Sequence, residues 1–349
     1  MMNSGFERRP AAMRHQSGMT LIELLVALAL GLLVTVIAAT ALLLGQQGYR
    51  AVDATTSLRD RERFAVGLIT RLVVQAGFQD FGAAQVSLRA NAPQATGIDP
   101  EPDIFGWNNA VYVNPGTLAL SESTSVASGS RPGACTVSDT SCKNGSDILV
   151  VRFQGVGTLV NSAASDNTMI NCSGQGESGL TNGALNDRSI SMFHVTRAAS
   201  GEPSLSCSYY SFGSGTWVNT PILEGVESFQ VLYGTDGVTA GVATAPGVAQ
   251  NYVPDKWLRA DQLTIPGSPA ATRNNWRRVR AVRIGLVLRG AAGATQQSVA
   301  ATYQPLGSLY VPATADSADP GPSLTVAADG RVRQQTAFTV HLRNDVALR

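Results

Sequence analysis

With 349 residues and 44% hydrophobic content, the chain is long enough to bury a substantial core. Charged residues make up only 15% and the formal net charge is +1, with the basic side chains dispersed, which excludes the electrostatic footprint of a dedicated nucleic-acid binder. Gly, Ser, Thr, Ala and Asn crowd the middle of the chain, a composition that points to an exported, β-rich, turn-dense protein.

Residues 1–18, MMNSGFERRPAAMRHQSG, are polar and basic through Arg8, Arg9 and Arg14, and Pro10 opposes a continuous helix; they read as a short cytoplasmic leader. From Leu24 to Leu44 no side chain is charged. At about 1.5 Å per residue this run crosses the hydrocarbon core of a bilayer. Because the arginines precede it, the positive-inside rule keeps the leader in the cytoplasm. The expectation is a single-pass inner-membrane protein with everything after Leu44 in the periplasm.

Two ordinary readings of this segment, a cleaved secretory signal and a plain signal anchor, predict different local chemistry. A cleaved secretory signal ends in a small-residue A-x-A site, and Leu42-Leu43-Leu44-Gly45-Gln46 offers none. A plain signal anchor has no use for Glu23 near the start of its apolar stretch. A carboxylate inside a membrane helix costs about 2.5–3.5 kcal/mol at the centre and less near an interface, so Glu23 calls for a compensating charge. No basic side chain lies between Met19 and Tyr49 to supply it.

The run Gly18-Met19-Thr20-Leu21-Ile22-Glu23-Leu24-Leu25 resembles the processing motif of type IV pilins and of type II secretion pseudopilins. The resemblance implies that a membrane prepilin peptidase cuts after Gly18 and methylates the new amino terminus at Met19. It also places Glu23 at the position of the family's glutamate, the fifth of the mature chain. The chemistry fits the spacing: a free α-amine titrates near pH 7.7–8.0, stays largely protonated at neutral pH, and can neutralise a carboxylate held in low dielectric. Within one helix Met19 and Glu23 are a turn apart, and between packed subunits the glutamate can meet a neighbour's amine. Gly18 lets the backbone enter a protease cleft in extended form, while Gly31, inside the span, allows close helix packing.

Beyond the membrane the helical signal continues through Arg50–Arg63 to about Phe78. Ala65, Leu68, Ile69, Leu72, Val73 and Ala76 recur at three- and four-residue steps, so one face should pack on a globular head. An unbroken helix from Thr20 to Gly77 would measure roughly 85 Å. The organisation expected is a leader at 1–18, a helix at 19–78 with its transmembrane part at 19–44, and a head at 79–349.

The stretch from Gln79 to Gly145 is rich in Gly, Pro, Ser and Asn and predicts long loops, with a short strand at Ala110–Val113. Strands are predicted at Asp147–Phe153, Ile190–Val195 and Glu227–Tyr233, then along the alternating Val282, Ile284, Leu286, Leu288 and along Phe338, Val340, Leu342. These read as half-buried strands of an antiparallel sheet, giving an α+β fold. Cys135, Cys142, Cys172 and Cys207 all follow the apolar segment, which suits an oxidising compartment. Of the three possible connectivities, Cys135 with Cys142 and Cys172 with Cys207 closes the smaller loops.

Ile222–Gly234, Trp276 with Val279–Arg289, and Phe338–Asn344 are similar to the head of PilW-type minor pilins, and J-type pseudopilins share the first two blocks. The resemblance implies a pilin-like fold, a long hydrophobic N-terminal helix packed on an antiparallel sheet, and a minor subunit that initiates pilus assembly in or at the tip of the filament. It implies the prepilin peptidase, other minor pilins, the major pilin and the inner membrane as partners, and no cofactor, metal or catalytic site. A J-type pseudopilin of type II secretion is the alternative within the class. A signal-anchored periplasmic binding module or adhesin is the alternative outside it.

No nucleotide, hydrolase or zinc motif stands in a fitting context. Asp236, Asp255 and Asp329 read as turn residues rather than calcium ligands. His194 and His341 are isolated strand histidines, and the basic run Arg273, Arg277, Arg278, Arg280, Arg283 reads as a solvated rim or subunit interface.

Overall fold

The computed structural model describes residues 18–79, 102–110, 112–114, 144–159, 164–178, 188–211, 214–245, 247–295, 299–308, 310 and 323–344. The chain divides into two compact units, Met1–Arg50 and Ala51–Arg349. Helix α1 spans Leu21–Gln75 and contributes to both.

In the first unit every described side chain of α1 is exposed, including Leu21, Ile22, Leu24, Leu28, Leu32 and Ile37. Such a continuous apolar surface is stable only in lipid or against other helices. The hydroxyls inside it are satisfied locally: Thr35 Oγ1 donates to Leu32 O at 2.8 Å and Thr40 Oγ1 to Val36 O at 3.0 Å. The residues therefore add no unpaired polar group to an apolar medium.

In the second unit the remainder of α1 becomes amphipathic. Ala54, Leu58, Ala65, Ile69, Leu72, Val73 and Ala76 are buried and Leu68 packs beside them, the face its periodicity predicts. The helix ends where Gly77 takes a left-handed conformation (φ 71°), and the side chain of Asn344 donates to the free carbonyls of Val74 (2.9 Å) and Ala76 (3.3 Å). A residue near the far end of the chain thus caps the helix.

Among the described residues, one antiparallel sheet runs in the order β1 (Ile104–Trp107), β2 (Ile148–Gln154), β3 (Arg188–Arg197), β4 (Pro203–Ser211), β5 (Thr216–Glu224). A second runs β11 (Arg333–His341), β8 (Val279–Arg289), β6 (Val226–Thr235), β7 (Lys256–Leu258), and β9 (Ala301–Tyr303) pairs with β10 (Leu324–Val326). Short helices α2 (Ala260–Leu263) and α3 (Pro269–Trp276) precede β8. The sheets are joined through Asp147, whose carboxylate accepts from Asn109 N at 2.8 Å and Val231 N at 2.7 Å while its own N–H donates to Phe229 O. The architecture is α+β, and the strands predicted from Asp147 onward are present as β2, β3, β6, β8 and β11.

Two expectations need correction. Of the strand expected at Ala110–Val113, the described residues Ala110, Tyr112 and Val113 lie in none: the strand lies earlier, at β1, and Asn109 turns the chain with a left-handed φ of 47° before Ala110 N bonds to Ser146 O. Nor are the central strands half-buried: β2 and β6 are buried along their whole length, and so is most of β8. Apart from Arg283 and Arg289 it is buried on both faces, because the segment around Pro305 lies directly over Gly285, where any side chain would collide with the Pro305 carbonyl.

Candidate assembly site

Gly18, Met19 and Thr20 are exposed and precede the first helical residue, and among the described residues nothing lies within 4 Å of the position where a Gly18 side chain would stand. Glu23, in the first turn of α1, is held by Thr20: Thr20 N and Thr20 Oγ1 donate to Glu23 Oε2 at 3.1 and 3.2 Å, and Glu23 N donates to Thr20 Oγ1 at 3.3 Å. This is a reciprocal capping box. Its T-x-x-E signal stands in the sequence beside the processing motif, but Glu23 draws attention first as an unpaired charge. The box satisfies backbone donors and favours negative charge at the helix start, yet gives Glu23 no cation.

Within the basic run of the head, Arg273, Arg277 and Arg283 are half-buried, and two members depart from the expected solvated rim. Arg278 and Arg280 are buried, as is Trp276, which stacks edge-on against Tyr233 and Phe105. Arg278 donates to Asp236 O at 3.2 Å and Val248 O at 2.6 Å, while Arg280 bonds the side chain of Gln250 and lies over the Tyr252 ring. Asp236 in turn accepts from Asn251 N at 2.9 Å and Tyr252 N at 2.8 Å. These charges fasten the loop after β6 to the core. Asp255 likewise accepts from Gly237 N at 3.1 Å.

A second polar cluster is hidden in the sequence because its links, other than those to Asp329, join residues 62 to 129 positions apart. Arg289 bridges Glu202 (2.7 Å) and Glu227 (2.9 Å), Arg331 reaches Glu202 (3.1 Å), and Arg333 joins Glu227 and Asp329, each at 2.6 Å. The hydrogen bonds from Arg333 outweigh desolvation and hold the Asp329 carboxyl at about 2. Burial works against Glu202, but Arg289 and Arg331 together keep it below its ordinary value. Three cations and three anions thus tie both sheets together.

His194 is buried, stacked on Tyr112 with ring centroids 4.0 Å apart, and its Nε2 meets Ser208 Oγ at 2.8 Å. Desolvation pushes it down to about 3, so it is neutral. His341 lies exposed on β11. Cys172 and Cys207 form a buried disulfide with Cα atoms 5.6 Å apart, pinning the loop before β3 to β4. Cys135 and Cys142 lie outside the described residues.

Residues 192–344 match the family model described as Type IV Pilus-assembly protein W, and residues 13–39 match the prokaryotic N-terminal methylation motif. No curated protein matches significantly. Among solved structures, a type IV-like pilin from Thermus thermophilus aligns over 82% of this chain and 96% of its own, at 14% identity and a TM-score of 0.37. The chain thus carries the prokaryotic N-terminal methylation motif at its exposed helix start and, in its head, the domain of the Type IV Pilus-assembly protein W family, which it resembles.

Proposed function

We propose that the chain is a minor type IV pilin, processed after Gly18, methylated at Met19, anchored in the inner membrane by the first unit's helix with its head in the periplasm, and then built into a pilus. It carries no catalysis of its own; the chemistry is performed on it by the prepilin peptidase. Its partners are other minor pilins and the major pilin.

One observation carries the reading: Glu23 is an ordered carboxylate at the mouth of a fully exposed apolar helix, and its contacts are the Thr20 donors. Cleavage before Met19 creates a cation one turn away or on the adjacent subunit, the charge that lets the carboxylate enter lipid. The capping box keeps Glu23 aimed at that end of the helix beforehand. In cells, Glu23→Ala and Glu23→Gln should be processed normally yet be depleted from sheared filaments. Normal incorporation of both variants would remove the assembly role of the charge.

A further inference from the structure

Helix α1 begins at Leu21, although Met19 by its own propensity could belong to it: methionine is among the better helix formers, yet Gly18, Met19 and Thr20 are all non-helical. Thr20 sets the boundary. Its carbonyl accepts the first bond of the helical ladder, from Leu24 N at 3.2 Å. To lengthen the helix by one residue at this end, Glu23 N would have to donate to Met19 O. It donates instead to Thr20 Oγ1 at 3.3 Å, while Thr20 N donates to Glu23 Oε2 at 3.1 Å. The threonine hydroxyl thus diverts the one N–H that would carry the helix upstream.

The boundary matters because of the bond it leaves outside. One further step upstream, the ladder would join Ile22 N to Gly18 O and so engage the carbonyl of the peptide that the processing motif marks. Hydrolysis there adds one water across Gly18–Met19. The water oxygen bonds to the Gly18 carbonyl carbon, the C–N bond breaks, Gly18 leaves as a carboxylate, and both water protons end on the Met19 nitrogen as an ammonium. A carbonyl hydrogen-bonded within a helical turn can neither extend into a cleft nor present its carbon for that attack. The nearest upstream residue whose side chain can cap a helix is Ser17, and a helix started there would take Gly18 and Met19 into its first turn.

We propose that Thr20 is a positioning residue for processing: its hydroxyl caps α1 and so keeps the Gly18–Met19 bond outside the helix, in the form the prepilin peptidase cuts. This rests on the reading of the chain as a processed pilin subunit. It gives the two members of the capping box separate tasks. Glu23→Ala leaves the Thr20 hydroxyl in place to accept from the N–H of residue 23, so cleavage proceeds and only the assembly charge is lost. Removing the hydroxyl leaves the charge and impairs the cut.

Pulse-chase labelling of the full chain in cells that carry the peptidase, with mass spectrometry of the amino terminus, tests this. Thr20→Val keeps the shape of the side chain and removes the hydroxyl; its cleavage should slow about three- to tenfold. The first-order rate is read from the fraction cut, so a lower membrane level does not hide it. Thr20→Ser and Thr20→Asn cap at least as well as threonine and should be cut at the wild-type rate. Ser17→Ala, which removes the upstream cap, should restore most of the rate when combined with Thr20→Val. Unchanged cleavage of Thr20→Val, or no restoration by Ser17→Ala, overturns the capping role and leaves the processed-pilin reading intact. Slow cleavage of Thr20→Asn does the same, since the peptidase would then be reading threonine itself. A wild-type chain left uncut, or cut elsewhere than before Met19, overturns both.

Discussion

Arg333 Nε lies 2.6 Å from Glu227 Oε2, with side-chain exposures of 2% and 4%, so β11 and β6 are joined across β8 by a desolvated ion pair. Buried pairs of this kind contribute little beyond a well-packed apolar substitute, but removing one partner strands the other. Here Glu227 would keep Arg289, and Asp329 would lose its main cation.

Because Glu227 keeps a cation and Asp329 is partly solvated, Arg333→Met is expected to lower stability by about 1–3 kcal/mol, less than a fully stranded buried charge would cost. Thermal or denaturant unfolding of the detergent-solubilised chain measures it. In the wild type the Asp329 contribution has a definite pH window. Its folded value is depressed from 3.8 to about 2, so the stabilisation is present above 3.8 and disappears as pH falls through 2.

His194 sets a second window. Its folded value of about 3 lies below the ordinary 6.5, so between these the unfolded chain takes up a proton that the folded chain refuses. Stability should fall as pH drops from 6.5 towards 3, this group contributing at most about 1.4 kcal/mol per pH unit. His194→Phe keeps a ring against Tyr112 and removes the titration. Its stability should therefore vary less steeply with acid over that range, whatever its value at neutral pH; an unchanged slope would mean that His194 is not the group responsible.

Replacing Cys172 and Cys207 together by alanine should cost about 2–4 kcal/mol, because the bridge closes a 35-residue separation and holds a loop against β4. The variant should unfold at lower denaturant, and reducing agent should move the wild type towards it.

How far the sequence speaks varies by element. The helix of the second unit is legible because Ala65, Ile69, Leu72 and Val73 repeat at helical spacing, and β6 and β11 because apolar residues cluster or alternate. Arg278 and Arg280 mislead, since charge in a sequence suggests solvent whereas these guanidiniums are buried to hold a loop. Burial of β8 on both faces depends on Pro305 meeting Gly285, and the Arg289–Glu202 link spans 87 residues; neither leaves a local trace. The T-x-x-E box at Thr20–Glu23 does leave one, masked by a functional reading of the same glutamate.

That glutamate and its missing cation are the centre of the account, and intact-mass and peptide mass spectrometry of the chain from membranes and filaments tests it most directly. The account predicts an amino terminus at Met19 bearing a methyl group on its α-nitrogen. An intact residue 1, or cleavage anywhere other than between Gly18 and Met19, would contradict it.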